Sequence, residues 1–161
     1  MTDANTKLEI GSLAPKFKAM AIGGDYGIAG KQVQLDDFKG KTVILYFYPK
    51  DDTPGCTKQA CSLRDNWADI KDKAIVFGIS VDSAADHKKF IEKYSLPFPL
   101  LSDENKEIVN AYGVWVEKNM FGKKYMGAER STFIIDAEGK LKAILPKVKP
   151  EEHTQKVLTL I

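Results

Sequence analysis

Two continuous apolar runs with a helical pattern between them constrain the fold of this chain more than any other feature. Residues 42–48 and 74–81 are rich in β-branched, aliphatic and aromatic side chains, which is typical of strands buried on both faces of a sheet. Pro49 ends the first run. Between the runs, apolar residues recur at helical spacing, at Ala60, Leu63, Trp67 and Ile70. Strand, helix and strand in this order predict a right-handed parallel β-α-β unit.

The second half of the chain adds helices and an antiparallel hairpin to this unit. A helix is expected after Ser83, which forms a capping-box pattern with the acidic residue three positions on. Residues 132–135 and 141–145 flank a turn and predict a hairpin, and Pro150 opens a last helix. The predicted fold class is α/β: a central mixed β-sheet with helices on both faces, in a thioredoxin-like arrangement.

Composition favours an ordinary globular protein and excludes several classes of function. A length of 161 residues predicts one domain, residues 1–161, with a substantial core. The 24 basic and 22 acidic residues are mixed along the chain, so neither nucleic acid nor a membrane surface is expected as a partner. Residues 1–7 lack the basic flank and apolar run of a signal peptide, and we therefore expect a cytoplasmic protein. In that compartment a disulfide is more often catalytic or sensory than structural.

Cys56 lies where a helix should begin. Thr53 is a suitable N-cap and Pro54 a suitable first helical residue, so free backbone N–H groups and the positive end of the helix dipole would stabilise a thiolate. At 100° per residue, Cys56 also falls on the apolar face of its helix. It should therefore point inward beyond the carboxyl end of the preceding strand, where open α/β sheets bind ligands.

Cys61 lies on the same predicted helix, about 140° around the axis from Cys56. In an intact helix the two Cα atoms would be about 8.7 Å apart, whereas a disulfide needs less than about 7 Å. A bond between them would require the first turns to unwind. The spacing alone also allows two inert core cysteines. A zinc site is disfavoured, because only His87 and His153 remain as ligands and neither has metal-like spacing.

Several stretches resemble one known family. Residues 49–56 reproduce the Pro-x-x-x-Thr-x-x-Cys signature of the peroxiredoxins. Residues 46–61, 112–115 and 122–136 are similar to the bacterioferritin comigratory protein branch, also called peroxiredoxin Q. The resemblance runs from about residue 11 to the C-terminus. It implies a thiol peroxidase of antioxidant defence, which reduces hydrogen peroxide and organic hydroperoxides, works without a metal, flavin or haem, is recycled by thioredoxin and is monomeric.

The resemblance also implies a role for each matched residue. Cys56 would be the peroxidatic cysteine, whose thiolate attacks a peroxide oxygen and becomes a sulfenic acid. Thr53 would hold the peroxide through its hydroxyl. Arg130 would contact thiolate and substrate, stabilising charge on the leaving oxygen. Pro49 would cover the site and limit access of water. Cys61 would be the resolving cysteine that forms a disulfide with Cys56.

Other interpretations of the same residues remain open at this point. A thiol–disulfide oxidoreductase or a peroxide sensor could use the same fold. Ser131 and Thr132 stand where thioredoxins carry a cis-proline, which favours the peroxidase. Gln59 stands where many members of the branch carry Glu, which could change the electrostatics near the cysteine. The two histidines, His87 and His153, are expected at solvated helix positions.

Overall fold

The computed structural model describes residues 8–161, which form nine strands and five helices. In chain order these are β1 (Lys18–Ile22), β2 (Lys31–Gln34), β3 (Val43–Phe47), α1 (Pro54–Asp65), α2 (Trp67–Ile70), β4 (Ile75–Ser80), α3 (Ala84–Tyr94), β5 (Leu100–Ser102), α4 (Glu107–Ala111), β6 (Trp115–Met120), β7 (Lys123–Ala128), β8 (Ser131–Ile135), β9 (Leu141–Pro146) and α5 (Pro150–Leu160).

Seven of these strands form one mixed sheet in the order β2-β1-β5-β4-β3-β8-β9. The three central strands β5, β4 and β3 are parallel, and the outer pairings are antiparallel. The expected mixed sheet, its β-α-β unit and its late hairpin are therefore confirmed. β6 and β7 form a separate antiparallel hairpin.

The central strand β3 separates two apolar cores. Ile44 and Tyr46 face a core shared with α1, α3 and α5, whereas Leu45 and Phe47 face a second core shared with α4. All four side chains are buried, as expected for a strand covered on both faces. Helices on both faces of the sheet are thus confirmed. Helix α1 follows β3 in the chain and packs on the face of the sheet that contains Ile44 and Tyr46.

The single helix expected across residues 60–70 is in fact two. The helix ends at Asn66, whose side-chain amide donates to the Ser62 carbonyl oxygen at 2.8 Å. The side chain and the backbone N–H of Asn66 thus share this carbonyl oxygen of the last turn, a local side-chain contact that Asn commonly makes. Trp67 then begins the short α2 and packs against Phe98, with ring centroids 5.7 Å apart.

The helix expected after Ser83 is confirmed. Ser83 Oγ accepts a hydrogen bond of 3.1 Å from the backbone N–H of Asp86. Strands β5, β6 and β7 had no counterpart among the predicted elements, because they are short or carry mixed polar and apolar side chains. Within residues 8–161, no helix is long and apolar enough to cross a membrane.

Candidate active site

Cys56 occupies the first turn of α1 and is almost completely buried, with 2% of its surface exposed. Pro54 is the first helical residue, and Thr53 adopts the extended backbone conformation of an N-cap. Cys56 joins the apolar core that contains Ala60 and Leu63, which lie one and two turns further along α1. The expected inward orientation of Cys56 at a helix N-terminus is therefore confirmed.

Arg130 is the charged partner of this cysteine. It lies between β7 and β8, 74 residues along the chain, and its Nη2 donates to Cys56 Sγ at 3.4 Å. Its Nη1 donates to Gln59 Oε1 at 2.6 Å, one turn further along α1. The guanidinium is thus fixed at two points, and its remaining N–H groups can bind a third acceptor. A thiolate at Cys56 would receive a charge-assisted hydrogen bond.

The backbone at Gly55 allows this approach. An added Cβ atom there would lie 3.1 Å from Arg130 Nη2 and 3.4 Å from Pro150 Cγ. A glycine at this position lets the guanidinium pass close over the first turn of α1. This residue had not been recognised as part of the site from the sequence, because its importance depends on a long-range contact.

The Thr53 hydroxyl bonds to the loop before α1 and not to the helix itself. Oγ1 donates to the backbone carbonyl of Lys50 at 3.0 Å and makes no capping hydrogen bond to α1. Since its proton is used by that carbonyl, the lone pairs of Oγ1 can accept a hydrogen bond from a bound hydroxyl. The expected N-cap is therefore confirmed for the backbone and not for the side chain.

A cavity of about 760 Å³ lies beside Arg130 and Pro49. Its walls come from the start of β6 and from the segment before α5, including Val116, Lys118 and Val148. Lys118 Nζ donates to the Ala128 carbonyl oxygen at 2.6 Å. Burial, and secondarily the nearby Arg130, lower the pKa of Lys118. The cavity offers an apolar surface with cationic groups close to Cys56.

Cys61 is half-buried and is not bonded to Cys56; both cysteines are free. It sits five residues on in the same unbroken helix, as expected. Next to it, Ser62 Oγ donates to Thr154 Oγ1 at 2.7 Å, which ties this part of α1 to α5. Local unwinding of α1 would have to break that contact.

Both histidines are completely buried, so the expectation of solvated positions was wrong. His87 bonds to Asp51 and to the Leu101 carbonyl. His153 Nε2 lies 2.7 Å from Thr132 Oγ1. Burial, with a smaller contribution from Arg130, lowers the pKa of His153 to about 4.

A signal for one of these histidines was present in the sequence. His87 lies three and four residues before the buried Phe90 and Ile91, so the apolar spacing of α3 already put it on the inner face. Asp51 gave no such signal, because a charged residue in a loop is ordinarily solvated.

Residues 10–144 match the AhpC/TSA family. The chain is 51% identical to a putative peroxiredoxin bcp of Coxiella burnetii, covering 94% of this chain and 97% of the relative. It is 47% identical to peroxiredoxin Bcp of Bacillus subtilis, covering 94% and 93%. The chain belongs to the peroxiredoxins, in the Bcp or peroxiredoxin Q branch. The resemblance of the signature at residues 49–56 to this family is thereby confirmed.

A solved peroxiredoxin supports the same assignment at the level of fold. The bacterioferritin comigratory protein of Xanthomonas campestris superposes with a TM-score of 0.82 at 32% identity, covering 94% of this chain and 96% of that one. The thioredoxin-like fold class is confirmed. As a peroxiredoxin the chain is a thiol peroxidase, with a peroxide as substrate and a thiol as reductant.

Proposed function

We propose that Cys56 is the peroxidatic cysteine of this peroxiredoxin, that Cys61 is its resolving cysteine, and that Thr53, Arg130 and Pro49 form the peroxide site around Cys56. The observation that carries the proposal is the contact of 3.4 Å between Arg130 Nη2 and Cys56 Sγ at the N-terminus of α1. Pro49, Thr53 and Cys56 form the family signature at residues 49–56, and Arg130 and Cys61 match residues of the family outside that signature.

The first step is the reduction of the peroxide. The Cys56 thiolate attacks one peroxide oxygen, the S–O bond forms, and the O–O bond breaks. Thr53 Oγ1 accepts the hydrogen bond of the peroxide hydroxyl, because it donates its own proton to the backbone carbonyl oxygen of Lys50. Arg130 stabilises the negative charge that moves from sulfur to the leaving oxygen, which takes up a proton to become water or an alcohol. Cys56 is left as a sulfenic acid.

Resolution and recycling follow. The Cys61 thiol attacks the sulfenic sulfur, a disulfide forms and water leaves. Because an intact helix keeps the two Cα atoms too far apart for a disulfide, the first turns of α1 must unwind. A dithiol reductant then reopens the bond by thiol exchange, and we propose thioredoxin for this role.

Substrate range, assembly and location are further parts of the proposal. The cavity beside Arg130 has room for an organic group, and the Xanthomonas campestris relative is described with alkyl peroxide reduction activity. We therefore expect both hydrogen peroxide and organic hydroperoxides as substrates. All five proposed site residues belong to one chain, so a monomer formed by a single domain of residues 1–161 can complete the cycle. We propose that it does so in the cytoplasm, where dithiol reductants are available.

The experiment is a stopped-flow reaction of the reduced protein with one equivalent of hydrogen peroxide near pH 7. Two thiols should be lost per peroxide, with a disulfide between Cys56 and Cys61 identified by peptide mapping. Cys56→Ser should lose no thiol rapidly. Cys61→Ser should lose one thiol in a single turnover and then stall.

Two outcomes would contradict these roles. If Cys61→Ser were as inactive as Cys56→Ser in a single turnover, the division of labour would be wrong. If the wild type reacted only at the rate of an unactivated thiol, disulfide exchange would become the better assignment. Recycling is measured separately, as continuous peroxide consumption that depends on thioredoxin and its reductase.

A further inference from the structure

A buried histidine–aspartate pair lies behind the loop that carries the peroxide site. His87 on α3 has no exposed surface, and its Nδ1 lies 2.6 Å from Asp51 Oδ2. Its Nε2 lies 2.9 Å from the Leu101 carbonyl oxygen on β5. On the other side, Tyr48 Oη donates to Asp51 Oδ1 at 2.6 Å. Asp51 is thus held between the end of β3 and the inner face of α3.

The number of protons in this pair follows from its partners. A carbonyl oxygen only accepts hydrogen bonds, so His87 Nε2 must carry a hydrogen toward Leu101. The contact of Nδ1 with the carboxyl group then needs one more proton, carried either by an imidazolium or by the carboxylic acid. Burial raises the pKa of Asp51, and the hydrogen bonds from His87 and Tyr48 oppose that rise. The pair is a strong contact because it is short, proton-sharing and removed from water.

The same loop is anchored at neighbouring points. The backbone N–H of Asp51 donates to Asp82 Oδ2 at 2.9 Å. Asp52 has a left-handed backbone conformation, with φ of 57°, and its carboxylate accepts from Lys93 Nζ at 2.8 Å and Tyr94 Oη at 2.7 Å. A left-handed conformation is costly for a residue other than glycine, so the loop needs outside contacts to keep it. Most of these contacts come from α3.

A metal site is a poorer explanation of the cluster. Ligand atoms of Asp51, Asp82 and His87 lie within 4.8 Å of one another. However, His87 already uses both ring nitrogens, and Asp82 Oδ2 accepts from Ser80 Oγ at 2.6 Å as well as from the loop backbone. A cation would have to replace these hydrogen bonds. The geometry therefore fits better with a set of contacts that holds the loop around Asp51 in place.

We propose that His87 is a positioning residue for peroxide reduction, which acts through Asp51 to hold loop 49–53 and the start of α1 in their reactive arrangement. Pro49 and Thr53 are the two ends of that loop, and Cys56 follows within one helical turn. The inference rests on the roles proposed for Thr53 and Cys56. Its consequence is a division between the two chemical steps. The anchored loop favours attack on the peroxide, whereas resolution by Cys61 requires the loop and α1 to come apart.

Two substitutions of His87 separate its two hydrogen bonds. The amide nitrogen of Asn lies near the position of imidazole Nδ1, and that of Gln lies near Nε2. His87→Asn can therefore still donate to Asp51, whereas His87→Gln keeps only the contact with Leu101. Lys88→Ala is the matched control, because Lys88 is the exposed neighbour on the same helix.

The experiment measures both steps by rapid quench. Mass spectrometry follows the second-order loss of the Cys56 thiol with hydrogen peroxide and then the first-order formation of the disulfide. Loss of the short, buried hydrogen bond to Asp51 predicts that His87→Gln slows the peroxide step by about tenfold. The same variant should accelerate disulfide formation. His87→Asn and Lys88→Ala should stay within about threefold of wild type in both steps, since the contact with Asp51 is kept.

Tyr48→Phe provides a second approach if His87→Gln does not fold. It removes only the hydroxyl that donates to Asp51. As in His87→Gln, the peroxide step should become slower and disulfide formation faster, but both changes should be smaller. Equal slowing in His87→Asn and His87→Gln, or a lower melting temperature with both rates unchanged, would overturn the proposal. A slow peroxide step in the wild type itself would instead overturn the proposed function, whatever the variants do.

Discussion

Replacing Gly55 by Ala should separate catalysis from stability in this peroxiredoxin. The new Cβ would lie 3.1 Å from Arg130 Nη2, whereas an ordinary contact is at least 3.4 Å. Gly55 does not have a positive φ, so its backbone conformation suits alanine. We expect Gly55→Ala to fold as well as the wild type and to react more slowly with peroxide, because the guanidinium must move away from the first turn of α1.

The magnitude follows from the geometry of Arg130 and Cys56. Relief of the contact needs a shift of about 0.3 Å, which would lengthen the 3.4 Å distance between Nη2 and Sγ to about 3.7 Å. At an effective dielectric constant of about 20, the attraction between a guanidinium and a thiolate falls from about 4.9 to about 4.5 kcal/mol. That loss of about 0.4 kcal/mol corresponds to about twofold in rate. Poorer hydrogen-bond direction extends the range to about tenfold.

The free energy of unfolding of Gly55→Ala should equal or exceed that of the wild type, although its reaction with peroxide is slower. Alanine favours a helix over glycine by up to about 1 kcal/mol, and the contact with Pro150 is close to ordinary packing distance. Thermal unfolding of the reduced protein measures this effect. The peroxide rate is measured by stopped flow under the same conditions.

A double-mutant cycle shows whether Arg130 transmits the effect. In an Arg130→Met background, Gly55→Ala should cause no further loss of rate, because the group that it displaces is absent. The reasoning is refuted if Gly55→Ala slows the reaction equally in both backgrounds. An unchanged rate in the single variant would refute it as well.

Three further predictions concern the surroundings of Cys56. Gln59 is buried, and within residues 8–161 its Nε2 has no hydrogen-bond partner. Gln59→Glu would remove this unpaired donor and make the bond to Arg130 charge-assisted. The substitution should therefore raise the free energy of unfolding at pH 7 by about 1 kcal/mol. The added negative charge should also slow the peroxide reaction by about threefold, since it opposes a neighbouring thiolate; a faster reaction without a gain in stability would contradict this prediction. The pKa of His153 is lowered to about 4 from its usual 6.5. As the pH falls, the unfolded chain therefore binds a proton at this residue before the folded protein does. The stability that neutral His153 contributes is complete above pH 6.5 and decreases toward pH 4. His153→Gln can keep the bond to Thr132 without titrating, and denaturant titrations at pH 7 and pH 4 should show about 3 kcal/mol less acid destabilisation than in the wild type; parallel losses would contradict the assignment. Finally, amide hydrogen exchange of residues 56–63 should be faster in the disulfide form than in the reduced form, and equal protection would count against local unwinding of α1.

Local patterns were sufficient for much of this fold. The continuous apolar runs predicted β3 and β4, because a strand covered on both faces cannot carry the alternation of a surface strand. Pro54 and Thr53 marked the start of α1, since their conformational preferences act within a few residues. The inward orientation of Cys56 likewise followed from helical geometry alone. The resemblance to the peroxiredoxins then supplied the site residues that we propose.

The ends of helices and the shortest strands are harder to predict, because they depend on competition between alternative hydrogen bonds. Asn66 ends α1 through its own side chain, although the apolar spacing continued to Ile70. β5 spans only three residues and is formed through its pairing with β1 and β4. Neither outcome has a strong local signal, because the deciding hydrogen bonds involve alternatives of similar free energy.

The sequence by itself therefore determined the β-α-β unit, the late hairpin and a cysteine at a helix N-terminus, because these depend on propensities and contacts within a few residues. Only the tertiary structure brings Arg130 to Cys56, as the family resemblance implied, and buries Asp51 against His87, which no local pattern indicated. Both contacts join residues more than 30 positions apart, and the burial of a charge depends on whether a partner arrives from another element. The chemistry of the site depends on those long-range contacts, because they set the charge and the position of the groups around one sulfur atom.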